Sequence, residues 1–405
     1  MPMRLEFLTA GESHGPQLTA IVRGLPAGLN LTAEDINADL ARRQQGYGRG
    51  GRMKIEKDAV QIRSGVRKGV TLGSPVTLVV ENRDYRSWES QMSPEPGELN
   101  DLKVVTRPRP GHADLVGALK FGHRDARNVL ERASARETAA RVAVGAACKR
   151  LLKEFGIHIY SHVVNLGGIT VDASGLSHAE IEARAAASDL RVARPEVEEA
   201  MRDLIDRAKK DGDTVGGVYE VVALGVPLGL GSTMNWDEKL DARIAQGLMS
   251  CQAIKGVSVG MGFEVASRPG SQVHDPIAYT ADPAEAASRD RERGRGPSGG
   301  FYHLSNNAGG IEGGMSNGEP IVIRVAMKPI ATLMKPLASV DLKSKEAFDA
   351  VRERSDVCAV PAAAVVGEAI LAFVLAQAFL EKFGGDSMEE IRRNYDSYVQ
   401  YLKEY

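Results

Sequence analysis

Histidine is scarce in this chain, eight in 405 residues, and two of the eight stand in settings that suit chemistry. GESHG (residues 11–15) places His14 between Ser13 and a glycine, and RPRPGHAD (residues 107–114) places His112 three residues after Arg109. An imidazole near its ordinary pKa can give up and retake a proton around pH 7, so both are candidates for general acid–base work. Arginine gathers nearby. ARRQQGYGRGGR (residues 41–52) carries four guanidinium groups, Arg43, Arg49 and Arg52 among them, between glycines that allow close backbone approach. ERASARETAAR (residues 131–141) adds Arg132, Arg136 and Arg141, with Arg132 just before a candidate helix cap at Ser134. Guanidinium binds phosphate and carboxylate in bidentate fashion, and a helix N-terminus adds N–H donors, so the pattern fits a small, multiply charged anion. In RPRPGHAD each proline fixes its own φ and biases the residue before it towards an extended conformation. Arg107, Arg109 and His112 would therefore come from a stiff segment.

Composition limits what the anion site can be. Basic and acidic residues nearly cancel, leaving a formal charge of −2, so the attraction must be local rather than global. Aromatic residues make up only 5% and no basic stripe is visible, which argues against nucleic acid as a partner. The three cysteines, Cys148, Cys251 and Cys358, are far apart and odd in number. They suggest neither a disulfide framework nor a zinc site, and a reducing cytoplasm is the natural setting. No G-x-G-x-x-G opens a helix after a strand, no P-loop or H-E-x-x-H motif is present, and no G-x-S-x-G forms a strand-to-helix elbow, so the common nucleotide, metal and serine-hydrolase sites are not expected. No signal peptide is visible at the amino terminus. Residues 359–380 are long and apolar enough to span a bilayer, but Pro361, Glu368, Gln377 and the dominance of alanine point to a buried helix instead.

The elements that must position these groups are short and mixed. Strands are expected at residues 5–9, 18–23, 60–63, 76–81, 157–165, 217–226, 256–266 and 320–327. Thr32 with Asp35 resembles a capping box for a helix ending near Gln45, and Ser134 with Glu137 repeats the signature ahead of a helix rich in small residues. Asn235 with Glu238 marks a further helix start, and a long one follows Pro361. The irregular alternation, with hairpin-length connections and no composition break, favours a single α+β domain of antiparallel sheets packed on helices. Two segments, 89–103 and 288–317, are expected to be mobile; the charge run SRDRERGRG that opens the second reads as a solvated loop or as a lid over an anion.

With GESHG, GYGRGGR, RPRPGHAD, ERASARETAAR, GGIEGGM, MKPIAT and RSDVCAVPAA taken in order, the sequence resembles the chorismate synthase family from about Gly11 to Ser387. The resemblance implies a β-α-β sandwich and a lyase of the shikimate pathway, acting on 5-enolpyruvylshikimate 3-phosphate by 1,4-elimination of phosphate. It implies reduced FMN as cofactor, NADPH as a conceivable reductant or else a separate flavin reductase, and a homotetramer. By the same resemblance, His14 assists phosphate departure, His112 stabilises or protonates the reduced flavin, and Asp356 takes part in the final proton removal. Arg43, Arg49, Arg52, Arg109 and Arg136 are the implied ligands of phosphate and carboxylate. Flavin contacts map to Arg132, Ala133, Ser134, Gln252, Ala253, Gly313, Lys328, Pro329, Ile330, Ala331, Thr332 and Arg354. No metal is implied.

Overall fold

The computed structural model describes residues 5–51, 55–97, 104–353 and 355–405. Two antiparallel sheets carry most of the strand residues. The first contains β1 (Glu6–Ala10), β2 (Gln17–Arg23), β3 (Val60–Ser64) and β4 (Val76–Glu81) in the order β1-β2-β4-β3. Its pairing sets Leu18 against Val80, Ala20 against Leu78 and Val22 against Val76, so every second residue adds to one apolar face. The second contains β5 (His158–Leu166), β6 (Ile169–Thr170), β7 (Gly217–Leu224), β8 (Ile254–Val259) and β9 (Ile321–Met327) in the order β8-β9-β7-β5-β6. This mixture of helix and antiparallel sheet is the α+β class expected from the sequence.

The helices are α1 (Ala33–Gln44), α2 (Asp114–Phe121), α3 (Arg127–Ala133), α4 (Thr138–Lys153), α5 (His178–Ala187), α6 (Glu198–Lys210), α7 (Leu240–Met249), α8 (Pro283–Arg293), α9 (Val360–Phe383) and α10 (Met388–Glu404). Helices α1, α4 and α9 pack on one another; α4 also lies on β2 and β4, and α9 on β5 and β7. Small residues permit this closeness, as the alanine-rich sequence of α4 suggested. A Cβ on Gly145 of α4 would fall 2.4 Å from the Ala369 backbone of α9, and one on Gly367 would fall 2.7 Å from the Tyr219 ring. Helix α9 is long and apolar enough to cross a membrane, yet 83% of its most apolar window is buried inside the protein.

The polar residues of α9 explain how it sits there. Gln377 donates to the Leu5 carbonyl at 3.0 Å. Glu368, with no exposed surface, accepts from Arg42 of α1 at 2.7 and 2.9 Å, Lys149 of α4 at 2.5 Å, Ser161 of β5 at 2.5 Å and Arg191 at 3.1 Å. Burial alone would raise its carboxyl pKa; the charges of Lys149 and Arg42 outweigh that and hold it well below the usual carboxylate range.

Local departures from the sequence reading have identifiable causes. The strand expected over 256–266 ends at Val259, because Gly260 turns into the left-handed region, where a Cβ would meet the Asn307 carbonyl at 2.1 Å. Ser134 caps through the N–H of Arg136, with a short 3-10 turn between cap and α4, and Glu137 is drawn into tertiary bonds instead of a capping box. Thr32 and Asp35 do form theirs, and the helix ends at Gln44 with Gln45 as its C-cap. Asn235 caps a 3-10 turn that leads into α7. SRDRERGRG is not an open loop: it begins within α8, which Gly294 stops at φ +66°. Arg289 lies over the Tyr302 ring, and Arg295 is buried against Asp290. Of the segment 89–103, Glu89–Met92 forms a single helical turn, and residues 98–103 lie outside the described residues.

Replacing Glu368 by Ala removes the shared partner of three cations in the helix layer and leaves Arg42 and Lys149 to Asp39. The expected cost is about 3–5 kcal/mol, read as a lower urea midpoint at pH 7. Because the folded-state pKa of Glu368 is depressed, its contribution is complete above the unfolded carboxyl value of about 4.3 and is lost as pH falls. The stability gap between wild type and Glu368→Gln should therefore narrow in urea titrations below about pH 4.

Candidate active site

The link between β1 and β2 is GESHG. Gly11 has φ +111°, and a Cβ there would lie 2.4 Å from the Gln17 carbonyl, so the loop can leave the strand in this way only with glycine. Glu131 of α3 anchors it: its carbonyl accepts from the Ser13 N–H at 3.0 Å, and its carboxylate accepts from the His14 N–H at 2.8 Å. The same carboxylate lies 2.8 Å from His14 Nδ1 and 3.1 Å from Arg127 Nη1. The imidazole stacks on Trp88 with centroids 4.2 Å apart, and its Nε2 is 4.0 Å from Asp84. Burial tends to raise the Glu131 pKa, but the hydrogen bonds and charges of His14 and Arg127 bring it below the ordinary value.

Directly beside this loop, two buried arginines converge on one buried carboxylate. Asp58 pairs with Arg136 at 2.6 Å and with Arg43 at 3.3 Å. Arg136 also donates to Asn82 at 2.8 Å, and Asn82 in turn donates to the Gly15 carbonyl at 2.8 Å, which ties the arginine pair to GESHG. Arg43 donates to Thr138 Oγ1 and the Ala135 carbonyl, each at 3.0 Å. Burial lowers its pKa against the attraction of Asp58, and the charges of Arg136 and Arg49 add to the fall, to about 10; it stays charged at neutral pH. Arg49 lies 3.1 Å from Asp356, whose other oxygen accepts from the Gly50 N–H at 2.6 Å. Thus Asp356 and the glycine loop are held together across 306 residues of sequence.

A third group forms around RPRPGHAD. Asp114, fully buried, accepts from Arg109 Nε at 2.8 Å and from Arg109 Nη2 at 3.0 Å, and lies 2.5 Å from His112 Nδ1. Burial opposes its ionisation, yet the hydrogen bonds from His112 and Arg109 keep its carboxyl below the ordinary range. Arg109 reaches Thr332 at 2.8 Å, and Lys328 donates to the Gly111 carbonyl at 2.5 Å. The stiff segment divides its two arginines: Arg109 is buried in the site, whereas Arg107 is exposed over the Phe348 ring.

Between the second and third groups lies Glu137. It accepts from Thr9 at 2.7 Å, Arg141 at 2.9 Å and Gln252 at 3.3 Å, while Arg132 donates to the Thr9 carbonyl at 2.9 Å. Gln252 Oε1 is buried with no hydrogen-bond partner among the described residues. Next to it, Ala253 holds φ +67°, uncommon for a residue with a side chain, and its carbonyl accepts from the Lys328 N–H at 3.0 Å. The Ile330 carbonyl accepts from Thr214, and Val215 pairs with Val357, which closes the circuit to Asp356.

His14, His112, Asp356, Arg43, Arg49, Arg109, Arg136, Arg132, Ala133, Ser134, Gln252, Ala253 and Lys328–Thr332 thus belong to one connected neighbourhood. Gly313 stands apart, in the hairpin formed by Ile311–Glu312 and Met315–Ser316, beside Thr233 and near the start of α7. Gln252 follows the other end of that helix, about 15 Å away by helical rise. Arg52 and Arg354 lie outside the described residues. Sequence reasoning missed the anions that hold the site, Glu131, Asp58, Asp114 and Glu137, together with Trp88 and Asn82. Glu131, Glu137 and Asp114 stood inside quoted motifs; Asp58 carried no comparable signal.

Comparison with known proteins follows the same residues. The chorismate synthase family model matches residues 5–380. A chorismate synthase of Geobacter metallireducens is 60% identical over 401 residues, covering 99% of this chain and all of that one. One from Pelobacter propionicus is 61% identical over 400 residues, covering 98% and 99%. A crystal structure of chorismate synthase, 45% identical, superposes with a TM-score of 0.77 over the full length of both chains. With a family match over most of its length and relatives of about 60% identity along the whole chain, it belongs to the chorismate synthase family, lyases of the shikimate pathway.

Proposed function

We propose that this neighbourhood binds 5-enolpyruvylshikimate 3-phosphate and reduced FMN and carries out the 1,4-elimination that yields chorismate. The observation that carries this reading is the convergence of His14, His112 and the arginines of three separated motifs on one hydrogen-bonded neighbourhood. The substrate bears two carboxylates and a phosphate, and guanidinium groups held in fixed directions suit all three. Arg43, Arg49, Arg109 and Arg136, with Arg52, would hold these anions. His14 would meet the leaving phosphate as a proton donor or a positive charge. Asp356, positioned by Gly50 and Arg49, would take part in removing the ring hydrogen.

Reduced FMN, when bound, supplies electron density that helps phosphate leave and recovers it without net redox change. The unpartnered Gln252 Oε1 fits an N–H donor on a flavin ring, and Arg132 and Lys328 fit its phosphate or ring oxygens. Ala133, Ser134, Ala253, Pro329, Ile330, Ala331 and Thr332 would line the same cofactor, with Arg354; Gly313, which the resemblance also implies, is held apart from them in its own hairpin. His112, its Nδ1 turned to Asp114, would stabilise or protonate the reduced ring.

The working form is proposed to be a cytoplasmic homotetramer. Exposed apolar side chains support assembly: Leu8 and Ile21 on the first sheet, and Val116, Leu119 and Phe121 on α2. The three layers, sheet, helices α1, α4 and α9, then sheet, are read as the family's β-α-β sandwich.

An anaerobic assay with substrate and chemically reduced FMN should yield chorismate; turnover without flavin would overturn the reading. Repeating it with NADPH and oxidised FMN tells whether the chain reduces its own flavin. His14→Ala should lower kcat about 10²-fold or more, the usual size of general acid catalysis, with FMN affinity retained. Arg49→Ala should raise KM for the substrate, and an unchanged KM and rate would remove Arg49 from the site. Sedimentation should give about four times the chain mass of 43.5 kDa.

A further inference from the structure

Both working histidines of the proposed site use Nδ1 in the same way, against a buried carboxylate that also holds an arginine: Glu131 with Arg127 for His14, Asp114 with Arg109 for His112. The His14 arrangement bears on what that residue can do. Glu131 is 2% exposed and receives, within 2.8–3.1 Å, the His14 N–H, an Arg127 N–H and the His14 ring nitrogen. An ionised carboxylate has lone pairs and no proton, so the ring nitrogen facing it must be the donor. The proton on Nδ1 is thereby fixed. In water neutral imidazole keeps its proton mainly on the other nitrogen, so this environment selects the less common tautomer and leaves Nε2 as the nitrogen that faces chemistry.

We infer that Glu131 is a positioning residue for His14: it holds the Nδ1–H tautomer, aims Nε2, and supports the positive charge that the ring carries once Nε2 is protonated. This rests on the proposed role of His14 at the leaving phosphate. The groups facing the ring are Glu131 on Nδ1, Asp84 at 4.0 Å from Nε2, and the stacked face of Trp88; Arg127 stands behind Glu131 and over the same Trp88 ring at 4.7 Å. Carboxylates thus stand at both ring nitrogens, and Arg127 pairs with Glu131 from behind. A Gln at 131 loses that charge, and its NH2 group can turn to Nδ1 and impose the opposite tautomer.

The test has two independent arms. In the first, the chain labelled with 15N-histidine is observed at neutral pH, with His14→Gln identifying the His14 signals. Expected is a proton on Nδ1, with Nε2 either bare or protonated; a neutral ring protonated on Nε2 alone overturns the inference, whatever the enzyme's activity. In the second, Glu131→Gln is assayed with reduced FMN. Expected is a fall in kcat of about tenfold or more, as part of a general acid contribution of 10²–10⁴, with KM for the substrate and FMN affinity nearly unchanged. Unchanged kcat overturns the inference. Should Glu131→Gln fail to fold, the first arm decides. A wild-type chain with no turnover under reduced FMN defeats the proposed function instead, and the tautomer measurement still judges Glu131.

Discussion

The buried carboxylate of Glu368 is the constraint on which the helix layer turns. An ionised group in the middle of an apolar helix is strongly unfavourable unless opposite charges and hydrogen bonds reach it, and here they come from α1, α4, β5 and the segment before α6. Each of those donors can reach only if its own element is rotated correctly. Arg42 must point into the layer to meet Glu368, and the next residue on α1 then projects about 100° further round the helix. That residue is Arg43, which consequently faces Thr138 and Asp58 in the proposed site. The salt bridge that locks the helices thus also sets the direction of a guanidinium of the proposed site.

The stretch from Glu131 to Thr138 acts as a spine for the same reason. It passes from α3 through an extended Ser134 and a 3-10 turn into α4, so its side chains leave in several directions within eight residues. Glu131 goes to His14, Arg132 to Thr9, Arg136 to Asp58, Glu137 to Gln252, and Thr138 to Arg43. A continuous helix would send residues three and four apart to one face. Breaking it at Ser134 spreads the contacts round the site.

The groups to which the proposed function gives reactive chemistry were legible in the sequence because histidine and arginine are conspicuous in glycine-rich and proline-framed motifs. His14, His112, Arg43, Arg109 and Arg136 could be picked out without knowing their partners. The carboxylates that hold them could not, since an Asp that will bind two buried arginines looks the same as one on the surface. Asp58 is the clear case. Local signals failed where tertiary contacts outbid them: Ser134 and Glu137 have the spacing of a capping box, yet Thr9, Arg141 and Gln252 take the glutamate. Thr32 and Asp35 have no such competitors and behave as their spacing suggests.

The pairing of every described site arginine with a carboxylate bears on how a trianionic ligand would be admitted. Bare guanidinium groups as close as Arg43 and Arg136 would repel in a buried setting, and the empty site would be unstable. Asp58 between them, Asp356 beside Arg49 and Asp114 beside Arg109 remove that repulsion and set each planar fork in a fixed direction. A chain of net charge −2 can therefore keep a cluster of cations folded without a ligand. An arriving phosphate or carboxylate does not have to organise these groups; it engages donors and charge already aimed, and the ordering entropy was spent in folding rather than at binding.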